Sequence, residues 1–498
     1  MNYFKIKFIK GFNDLIIFFK NNLILFFLLI IGFFLRLFKI NEISYWVDEA
    51  ISINQVMQPF LTNIFLVASD VHPPLYNILL WFWTRLFGFN EISTKFMSLI
   101  FSVLSILLIY LIAKKLFSKN VAIFSATLLT FSKINIYYAQ ETRMYSLLLF
   151  LSLLSMYYYI SLFLTDNKRK QDKKFFVGFS FKYIISSVLL IYTHIFSLFI
   201  LFIQGLFIVL YHKKKLFCFF KNNFIIFLLY LPWIPVIINQ FLKVTDSYWL
   251  SKPNFLSLYE TIVDFSGSIF LFYLFTFIIS MFFFYSLIKK YFNYKILFVF
   301  CWFILPILIL FLISVLFKPF FLTRYILYCS LPYFILIAYS INKLVKFKII
   351  KCLIIIIIIF FSILSIFEYY NNNSKEDWNE VVFFIKNNYN HEKIIIHPHY
   401  EIFSFLYYFD RNCFSNKIGY DFKKEISYSN CNKNIFGVNQ IYDINILLNE
   451  SFWLIKYYED YYKINDSYYI LEDLNKTHNV FLLKKIKNIA IYKGNLKN

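Results

Sequence analysis

Asp48 and Glu49 are two adjacent acidic residues that follow the first long hydrophobic segment of the chain. A charge close to hydrocarbon is destabilising by several kcal/mol unless it is hydrated or paired, so a chain with two acids here is expected to use at least one of them. The chemistry open to a carboxylate is proton transfer or cation binding. No third ligand at a diagnostic spacing accompanies the pair. The sequence therefore predicts no metal site, with a divalent cation as the open alternative for a cofactor.

His72 and Arg324 are the basic residues best suited to bind a phosphate. His72 stands before Pro73 and Pro74 in the same polar segment as the acids, where an imidazole can donate a hydrogen bond to a phosphate. Arg324 begins a hydrophobic span at its predicted outer end, and its forked guanidinium fits a phosphate. Snorkelling of the Arg324 side chain without a function is the competing interpretation.

A short polar turn between two hydrophobic spans contains Gln140, Glu141, Arg143 and Tyr145. A minimal connector between spans would need no charge. Glu141 and Arg143 therefore have two interpretations: a structural ion pair, or groups that orient a substrate and hold the acids of the first polar segment.

The composition predicts a membrane protein. Of 498 residues, 60% are hydrophobic, 23% are aromatic and only 16% are charged, which is too little polar surface to cover a soluble globule. The net charge of +22 comes from Lys and Arg clusters between apolar runs, without an aromatic and basic module for nucleic acid. These clusters are expected at an anionic membrane face, so membrane lipids are predicted partners and nucleic acid is not.

The sequence contains roughly eleven hydrophobic runs that are long enough to cross about 30 Å of hydrocarbon. They lie near 21–39, 91–113, 119–137, 143–164, 176–193, 196–211, 222–240, 264–288, 295–317, 323–342 and 350–368. The basic clusters alternate onto one side, which the positive-inside rule makes cytoplasmic. The N-terminus is thus predicted to be cytoplasmic, and the polar segments 40–90 and 369–498 are predicted to be extracytoplasmic. The stretch 176–211 is open to two interpretations, one long helix or two short ones.

Two further segments predict local features of the membrane part. Pro232 and Pro235 predict a kink within a span, because each proline removes a backbone donor. Tyr248 and Trp249 lie in a loop that is long enough to cover a cavity, although their residue types do not demand that role.

The tail predicts a small exterior α/β domain of ~130 residues, ample for its own core. Helical and strand patterns occur in it at 378–388, 393–397, 401–409, 452–455 and 480–483. The chain is thus expected to contain a transmembrane domain, 1–368, with its first exterior loop at 40–90, and an exterior domain, 369–498. This domain has two open roles, binding an acceptor or bracing the spans.

The tail also contains two cysteines and a histidine pair. If the tail is outside the membrane, Cys413 and Cys431 could form a disulfide, and this bond and two free thiols are equally expected. His397 and His399 flank Pro398, and a surface turn is favoured over a metal site because no third ligand follows at a diagnostic spacing.

Several motifs, in this order and at this spacing to the spans, resemble the C-type integral-membrane glycosyltransferases. Within that class the similarity is to bacterial relatives of protein O-mannosyltransferases and of the aminoarabinose transferase of lipid A. The resemblance covers 1–368 well and the tail only through 375–378. The residues that carry it are Trp46 to Ala50, His72 to Tyr76, Tyr138 to Tyr145, Tyr192 to His194, Leu231 to Pro235, and Arg324 with Tyr325.

The resemblance implies transfer of a sugar from a polyprenyl phosphate to a lipid, glycan or protein acceptor outside the membrane. It maps the family's acidic first-loop residue onto Asp48 as general base, with Glu49 as the second candidate. One base and a good leaving group are sufficient, since a lipid phosphate leaves without a general acid. Arg324, His72 and Arg143 are expected to bind the donor phosphate. Substrate binding is expected from Gln140, Glu141 and Tyr145.

Two other classes of function remain as alternatives. A transporter or lipid flippase usually places its ionisable residues near the bilayer midplane in two related halves, whereas here they collect at one predicted edge. A lipid-linked glycan ligase or polymerase would also have exterior loops.

Overall fold

The computed structural model describes residues 17–164, 173–246, 250–289, 293–372, 375–416, 426–428, 434–438, 450–457, 471 and 474–497. Seven helices in this part of the chain are long and apolar enough to cross a membrane, and four shorter helices are apolar as well. The predicted class, an α-helical polytopic membrane protein with a small C-terminal α/β part, is confirmed. The seven are Glu91–Leu116, Tyr145–Leu164, Lys213–Leu242, Ile269–Ile288, Tyr294–Leu316, Thr323–Leu344 and Lys348–Asn371.

The chain divides into two compact units. The membrane unit comprises Met1–Phe38, Ala68–Tyr76 and Lys95–Asn371. The other unit contains the tail and most of the loop that the sequence predicts to be exterior, and is called the exterior-loop unit; it comprises Lys39–Val67, Asn77–Thr94 and Asn372–Asn498.

The helices before the tail are numbered in chain order. The first nine are α1 (Leu23–Leu37), α2 (Val47–Met57), α3 (Phe60–Ser69), α4 (Leu75–Phe87), α5 (Glu91–Leu116), α6 (Lys119–Thr130), α7 (Lys133–Ala139), α8 (Tyr145–Tyr159) and α9 (Lys173–Ile191). The next eight are α10 (Leu198–Tyr211), α11 (Leu216–Tyr230), α12 (Ile234–Asp246), α13 (Phe255–Ser266), α14 (Ile269–Ile288), α15 (Tyr294–Leu316), α16 (Ser330–Leu344) and α17 (Lys348–Asn371).

The predicted span 119–137 is interrupted between α6 and α7, and Arg36 explains the break. The guanidinium of Arg36, fully buried on α1, donates to the carbonyl oxygens of Leu129 (3.1 Å) and Thr130 (3.3 Å) and to the hydroxyl of Ser102 (2.7 Å). These carbonyls end α6, where the helix dipole is negative and intrahelical donors are missing. A helix can therefore stop inside the apolar region because a buried cation satisfies its last carbonyls.

Two other features of the membrane unit concern the predicted spans. The stretch 176–211 forms two helices, α9 and α10, with a break at 192–197 that includes the 3-10 turn Ile195–Ser197. The predicted kink is confirmed as the 3-10 turn Leu231–Trp233 between α11 and α12. In the exterior-loop unit, α2 and α3 are separated by Gln58 and Pro59, because proline does not continue a preceding helix.

The tail begins with α18 (Trp378–Lys386), where helical spacing was predicted. Two short helices, α19 (Ile402–Phe409) and α20 (Arg411–Asn416), follow the first strand. Strand β1 (Lys393–His397) pairs in parallel with β3 (Ile435–Val438) and β4 (Phe452–Tyr457). Antiparallel pairing joins β2 (Ile426–Tyr428) to β3, and β6 (Ile489–Leu496) to both β4 and β5 (His478–Ile486).

The described strands give the sheet order β2-β3-β1-β4-β6-β5. One face carries a buried cluster that includes Ile395, Phe436, Phe452 and Leu454. The predicted strands at 393–397, 452–455 and 480–483 are confirmed. Strand β6 was not predicted, since its C-terminal half is polar and only Ile489–Ile491 form a hydrophobic run.

Candidate functional site

His72 lies in the membrane unit, in the turn that precedes α4. The N–H of Leu75 donates to the carbonyl oxygen of Tyr192 (3.0 Å), and the amide of Gln240 donates to the carbonyl oxygen of His72 (3.4 Å). Pro73 and Pro74 are buried and restrict the backbone between these contacts. The turn is therefore attached to the residue that follows α9 and to α12, which fixes the position of the imidazole.

His194 lies beside His72, at the start of the 3-10 turn that precedes α10. Its Nδ1 accepts a hydrogen bond from the N–H of Phe196 (3.3 Å), and the residue is only 2% exposed. The centroid of its ring is 5.9 Å from that of His72 and 5.1 Å from that of Tyr325. This histidine belongs to the motif 192–194 but is not among the phosphate ligands predicted from the sequence.

Arg143 and Arg324 complete this group. Arg143 lies in the turn before α8, is 6% exposed, and its carbonyl oxygen accepts from the hydroxyl of Ser98 (3.4 Å). Arg324 lies in the 3-10 segment Thr323–Cys329, with its guanidinium 5.7 Å from the ring centroid of Tyr325. The side chains of His72, Arg143, His194 and Arg324 form the set that we call the basic cluster.

The electrostatics of the basic cluster keep both imidazoles neutral. Burial, together with the charges of Arg143 and Arg324, lowers the pKa of His194 to about 3. Burial also lowers the pKa of His72 well below its usual value, as do Arg143, His194 and Arg324. Two guanidinium cations and two neutral imidazoles thus share one region, which favours binding of an anion.

Acidic and phenolic groups flank the basic cluster. Burial raises the pKa of Tyr138 well above its usual value, with Glu141 raising it further and Arg324 opposing the shift. Asp264, on α13, was not predicted. Solvent reaches part of this residue, but desolvation of its carboxylate raises the pKa to about 6. A hydrogen bond to Thr323 and the charge of Lys133 act in the opposite direction and lower the pKa. The region therefore contains carboxylates as well as cations.

Gln140 has well-defined partners inside the membrane unit. Its amide nitrogen donates to the carbonyl oxygens of Arg36 (3.0 Å) and Phe38 (2.7 Å), and its amide oxygen accepts from the hydroxyl of Tyr369 (2.8 Å). Gln140 is fully buried and joins the end of α1 to α17. Its predicted contact with substrate stays a prediction, beside an evident role in holding these helices together.

Glu141 and Tyr145 are buried in the same region as Gln140, with exposed fractions of 1% and 0%. The ring of Tyr145 lies 4.9 Å from that of Tyr138. Their predicted contacts with substrate stay predictions as well.

Asp48 and Glu49 lie in the first turn of α2, in the exterior-loop unit. Carboxylates are favoured at this end of a helix, where the backbone N–H groups and the dipole are positive. The two side chains have different environments, because adjacent helical residues point in different directions. Asp48 is partly exposed, whereas Glu49 is fully buried close to the hydroxyls of Tyr45 and Tyr407.

Helix α2 is attached to the C-terminal part of its own unit. The amide of Asn54 donates to the carbonyl oxygen of Phe414 (2.6 Å), and the amide of Gln58 donates to that of Ser415 (2.8 Å). Just before α2, the N–H of Tyr45 donates to the hydroxyl of Tyr408 (2.7 Å). The tail thus braces the segment that carries the two acids.

Comparisons with known proteins identify the fold. Residues 71–236 match the family model of dolichyl-phosphate-mannose-protein mannosyltransferases. ArnT from Cupriavidus metallidurans, bound to undecaprenyl phosphate, aligns with a TM-score of 0.59 and 8% identity over 95% of this chain and 98% of ArnT. The apo form of ArnT aligns with a TM-score of 0.60 and 10% identity over 97% of this chain and 98% of ArnT. This chain has the C-type glycosyltransferase fold.

A third C-type structure is also similar. The oligosaccharyltransferase AglB from Archaeoglobus fulgidus, in complex with an inhibitory peptide and a dolichol-phosphate, aligns with a TM-score of 0.55 and 10% identity over 95% of this chain and 74% of AglB. No protein with a curated description matches the sequence. The predicted resemblance to C-type membrane glycosyltransferases is confirmed at the level of the fold.

The basic cluster unites the three predicted phosphate ligands, His72, Arg143 and Arg324, within one unit. The motif 192–194 was visible in the sequence, yet the unsatisfied ring nitrogen that distinguishes His194 is a property of the folded chain. Asp264 gave no sequence signal, because it begins a predicted hydrophobic run.

Three other predictions concern features outside the basic cluster. In the described part of the chain, no group of three His, Cys, Asp or Glu residues is placed to hold a metal. His399 is only 3% exposed, so the surface turn expected at 397–399 is wrong for this residue, whose backbone lies close to Gly437. Tyr248 and Trp249 lie outside the described residues.

The two tail cysteines have separate outcomes. Cys413 is disulfide-bonded. Cys431 lies outside the described residues, so its pairing stays a prediction.

Proposed function

We propose that this protein transfers a sugar from a polyprenyl-phosphate donor to an acceptor on the extracytoplasmic side of the membrane, with Asp48 as the general base. The observation that carries the proposal is the basic cluster, in which Arg143 and Arg324 share one region with two neutral imidazoles. A departing lipid phosphate needs this combination of positive charge and hydrogen-bond donors.

The reaction is a direct displacement at the anomeric carbon. An acceptor oxygen forms the new bond to this carbon as the bond from the carbon to the phosphate oxygen breaks. The electron pair of the broken bond stays on the phosphate, whose developing charge the basic cluster stabilises. The acceptor proton passes to the carboxylate of Asp48. The leaving phosphate is a weak base and needs no proton, so one carboxylate is sufficient, unlike in glycoside hydrolysis.

Exposure supports Asp48 over Glu49 as the base. A base must come within hydrogen-bond reach of the acceptor, and Asp48 is partly exposed on α2. Glu49 is fully buried next to Tyr45 and Tyr407, which suits a structural role or support of the neighbouring carboxylate. Glu49 thus stays the second candidate.

Different observations support the lipid donor and the orientation of the protein in the membrane. ArnT and AglB have the same fold and were solved with undecaprenyl phosphate and a dolichol-phosphate. A disulfide at Cys413 is expected in an oxidising compartment, which agrees with an extracytoplasmic tail. The positive-inside rule gives the same orientation from the Lys and Arg clusters.

The test compares Asp48→Asn with Glu42→Gln in membranes supplied with a panel of undecaprenyl-phosphate sugars. Glu42 is an exposed acid of the same loop, paired with Lys39, and serves as the matched control. We expect Asp48→Asn to lower transfer by about a hundredfold or more, as loss of a general base does, with Glu42→Gln unchanged. Unchanged transfer in Asp48→Asn would remove the base role. Sugar movement across the membrane without a new glycosidic bond would favour the transporter instead.

A further inference from the structure

His194 contains a buried hydrogen-bond donor that the fold leaves unsatisfied. The ring is 2% exposed, and none of the described residues provides a hydrogen-bond partner for its Nε2. A buried polar atom without a partner is destabilising by about 1–3 kcal/mol, so its retention calls for an explanation.

The contacts of the other ring nitrogen decide which atom carries the proton. Nδ1 faces the backbone N–H of Phe196 at 3.3 Å and must accept from it. A neutral imidazole has one donor and one acceptor, so the proton resides on Nε2. The same contact begins the turn Ile195–Ser197 and locks the ring in place. His194 thus presents a fixed N–H group at Nε2.

The surroundings of this N–H group select an anion. Arg143 and Arg324 act on His194 electrostatically, and His72 lies 5.9 Å away between ring centroids. The rings of His72, Phe196 and Tyr325 are tilted by 37°, 40° and 48° against that of His194, so none meets it in the perpendicular geometry that would direct an N–H at an aromatic face. Two cations and an oriented donor together suit an oxyanion.

We propose that the Nε2–H of His194 donates a hydrogen bond to the phosphate of the polyprenyl-phosphate donor. This assignment deepens the proposed function and rests on it. The imidazole N–H contacts a phosphate oxygen of the donor, whose negative charge grows as the sugar departs. The hydroxyl of Tyr328 donates to the carbonyl oxygen of Phe196 (2.9 Å), which attaches the turn of His194 to the segment that carries Arg324. The imidazole and the guanidinium are therefore held as one anion-binding element.

A pair of substitutions separates the donor role from the structural role. The amide nitrogen of His194→Gln can occupy the place of Nε2 but offers no acceptor near Phe196. The side-chain oxygen of His194→Asn can accept from the N–H of Phe196, as a good helix-capping residue does, but offers no donor at the Nε2 position. The donor role predicts that Gln is the better replacement, whereas a purely structural role predicts that Asn is.

The experiment measures binding of undecaprenyl phosphate to the purified full-length protein, with undecaprenol as the ligand that lacks the phosphate. We expect His194→Asn to bind undecaprenyl phosphate about tenfold more weakly than the wild type, in line with the loss of one charge-assisted hydrogen bond. His194→Gln should stay within about threefold of the wild type, which is at most about half of that loss in free energy. Binding of undecaprenol should be unchanged in both variants. His212→Gln, at the far end of α10, is the control for a histidine change in the membrane unit.

Three outcomes overturn the assignment in different ways. If His194→Asn binds the phosphate like the wild type while Arg324→Ala loses it, His194 is no ligand and the proposed function stands. If Gln binds worse than Asn, the histidine acts only through its turn. If the wild type binds undecaprenyl phosphate no better than undecaprenol, the phosphate site and the proposed function fail together. Thermal unfolding of each variant separates lost binding from lost folding.

Discussion

The backbone N–H of Tyr45 donates a hydrogen bond of 2.7 Å to the phenolic oxygen of Tyr408, although 363 positions separate the two residues. The same phenol donates to the carboxylate of Glu91, and the ring of Tyr45 lies 4.8 Å from that of Tyr407. The loop that carries Asp48 is therefore fixed by the tail of its own unit. This contact indicates that the tail supports the segment that carries Asp48. Support of this kind is closer to bracing than to acceptor binding, the two roles that the sequence left open.

Removal of the Tyr408 hydroxyl tests this support. Tyr408→Phe leaves the N–H of Tyr45 and the carboxylate of Glu91 without their buried partner, which should destabilise the protein by about 1–3 kcal/mol. We expect a lower melting temperature in detergent together with lower sugar transfer. Tyr211→Phe, a half-exposed tyrosine at the end of α10, is the matched control and should leave both values unchanged. An unchanged melting temperature in Tyr408→Phe would show that the contact contributes little.

Gln140 allows its structural and substrate-binding roles to be separated. Gln140→Glu replaces two buried N–H donors by acceptors that face the carbonyl oxygens of Arg36 and Phe38, so it should destabilise the fold more than Gln140→Leu. Melting temperatures of the two variants check this order. A raised KM for the donor with an unchanged melting temperature would instead support substrate contact.

The neutral histidines predict a loss of stability in acid. An unfolded histidine has a pKa of about 6.5, whereas that of His194 in the fold is about 3 and that of His72 is also lowered. Between these values the unfolded chain binds protons that the folded chain does not. The free energy of unfolding therefore falls as the pH drops below about 6.5, by up to ~1.4 kcal/mol per pH unit for each histidine.

Melting temperatures at pH 7.5 and pH 5 measure this effect. We expect the drop between the two pH values to be smaller in His194→Leu than in the wild type, because the variant has one proton fewer to bind on unfolding. His391→Asn is the control, since this exposed histidine of the tail has a positive φ that asparagine tolerates. A full-size drop in His194→Leu would contradict the depressed pKa of His194.

The difference between what the sequence predicted and what it missed has a physical basis. Hydrophobic length predicts most spans, since crossing the bilayer demands it, and Asp48, His72 and Arg324 are visible because charge at an apolar edge is unusual. The break after Thr130 was missed because it depends on Arg36, which lies 94 positions away. His194 was left out because nothing in the residue types shows which ring nitrogen lacks a partner. Such features arise only when distant segments meet.

Protease accessibility tests the predicted orientation. The segment 370–400 begins at the end of the last span and includes α18 and β1 of the tail, and the positive-inside rule places it outside. Protease added to intact cells should cut within it, whereas the basic loop around Lys114 and Lys115 should be cut only after lysis. Cleavage with the opposite order would reverse the predicted sidedness and move the proposed reaction to the cytoplasmic face.

Arg324 provides the most direct test of phosphate recognition by a charge. Arg324→Ala removes the cation and its forked donors, whereas Arg324→Lys keeps a point charge without the fork. We expect KM for an undecaprenyl-phosphate sugar to rise by about tenfold or more in the alanine variant and by less in the lysine variant. Lys252→Ala, which removes an exposed cation in the segment before α13, should leave KM unchanged. The three Arg324 forms would have equal KM values only if this guanidinium does not contact the phosphate.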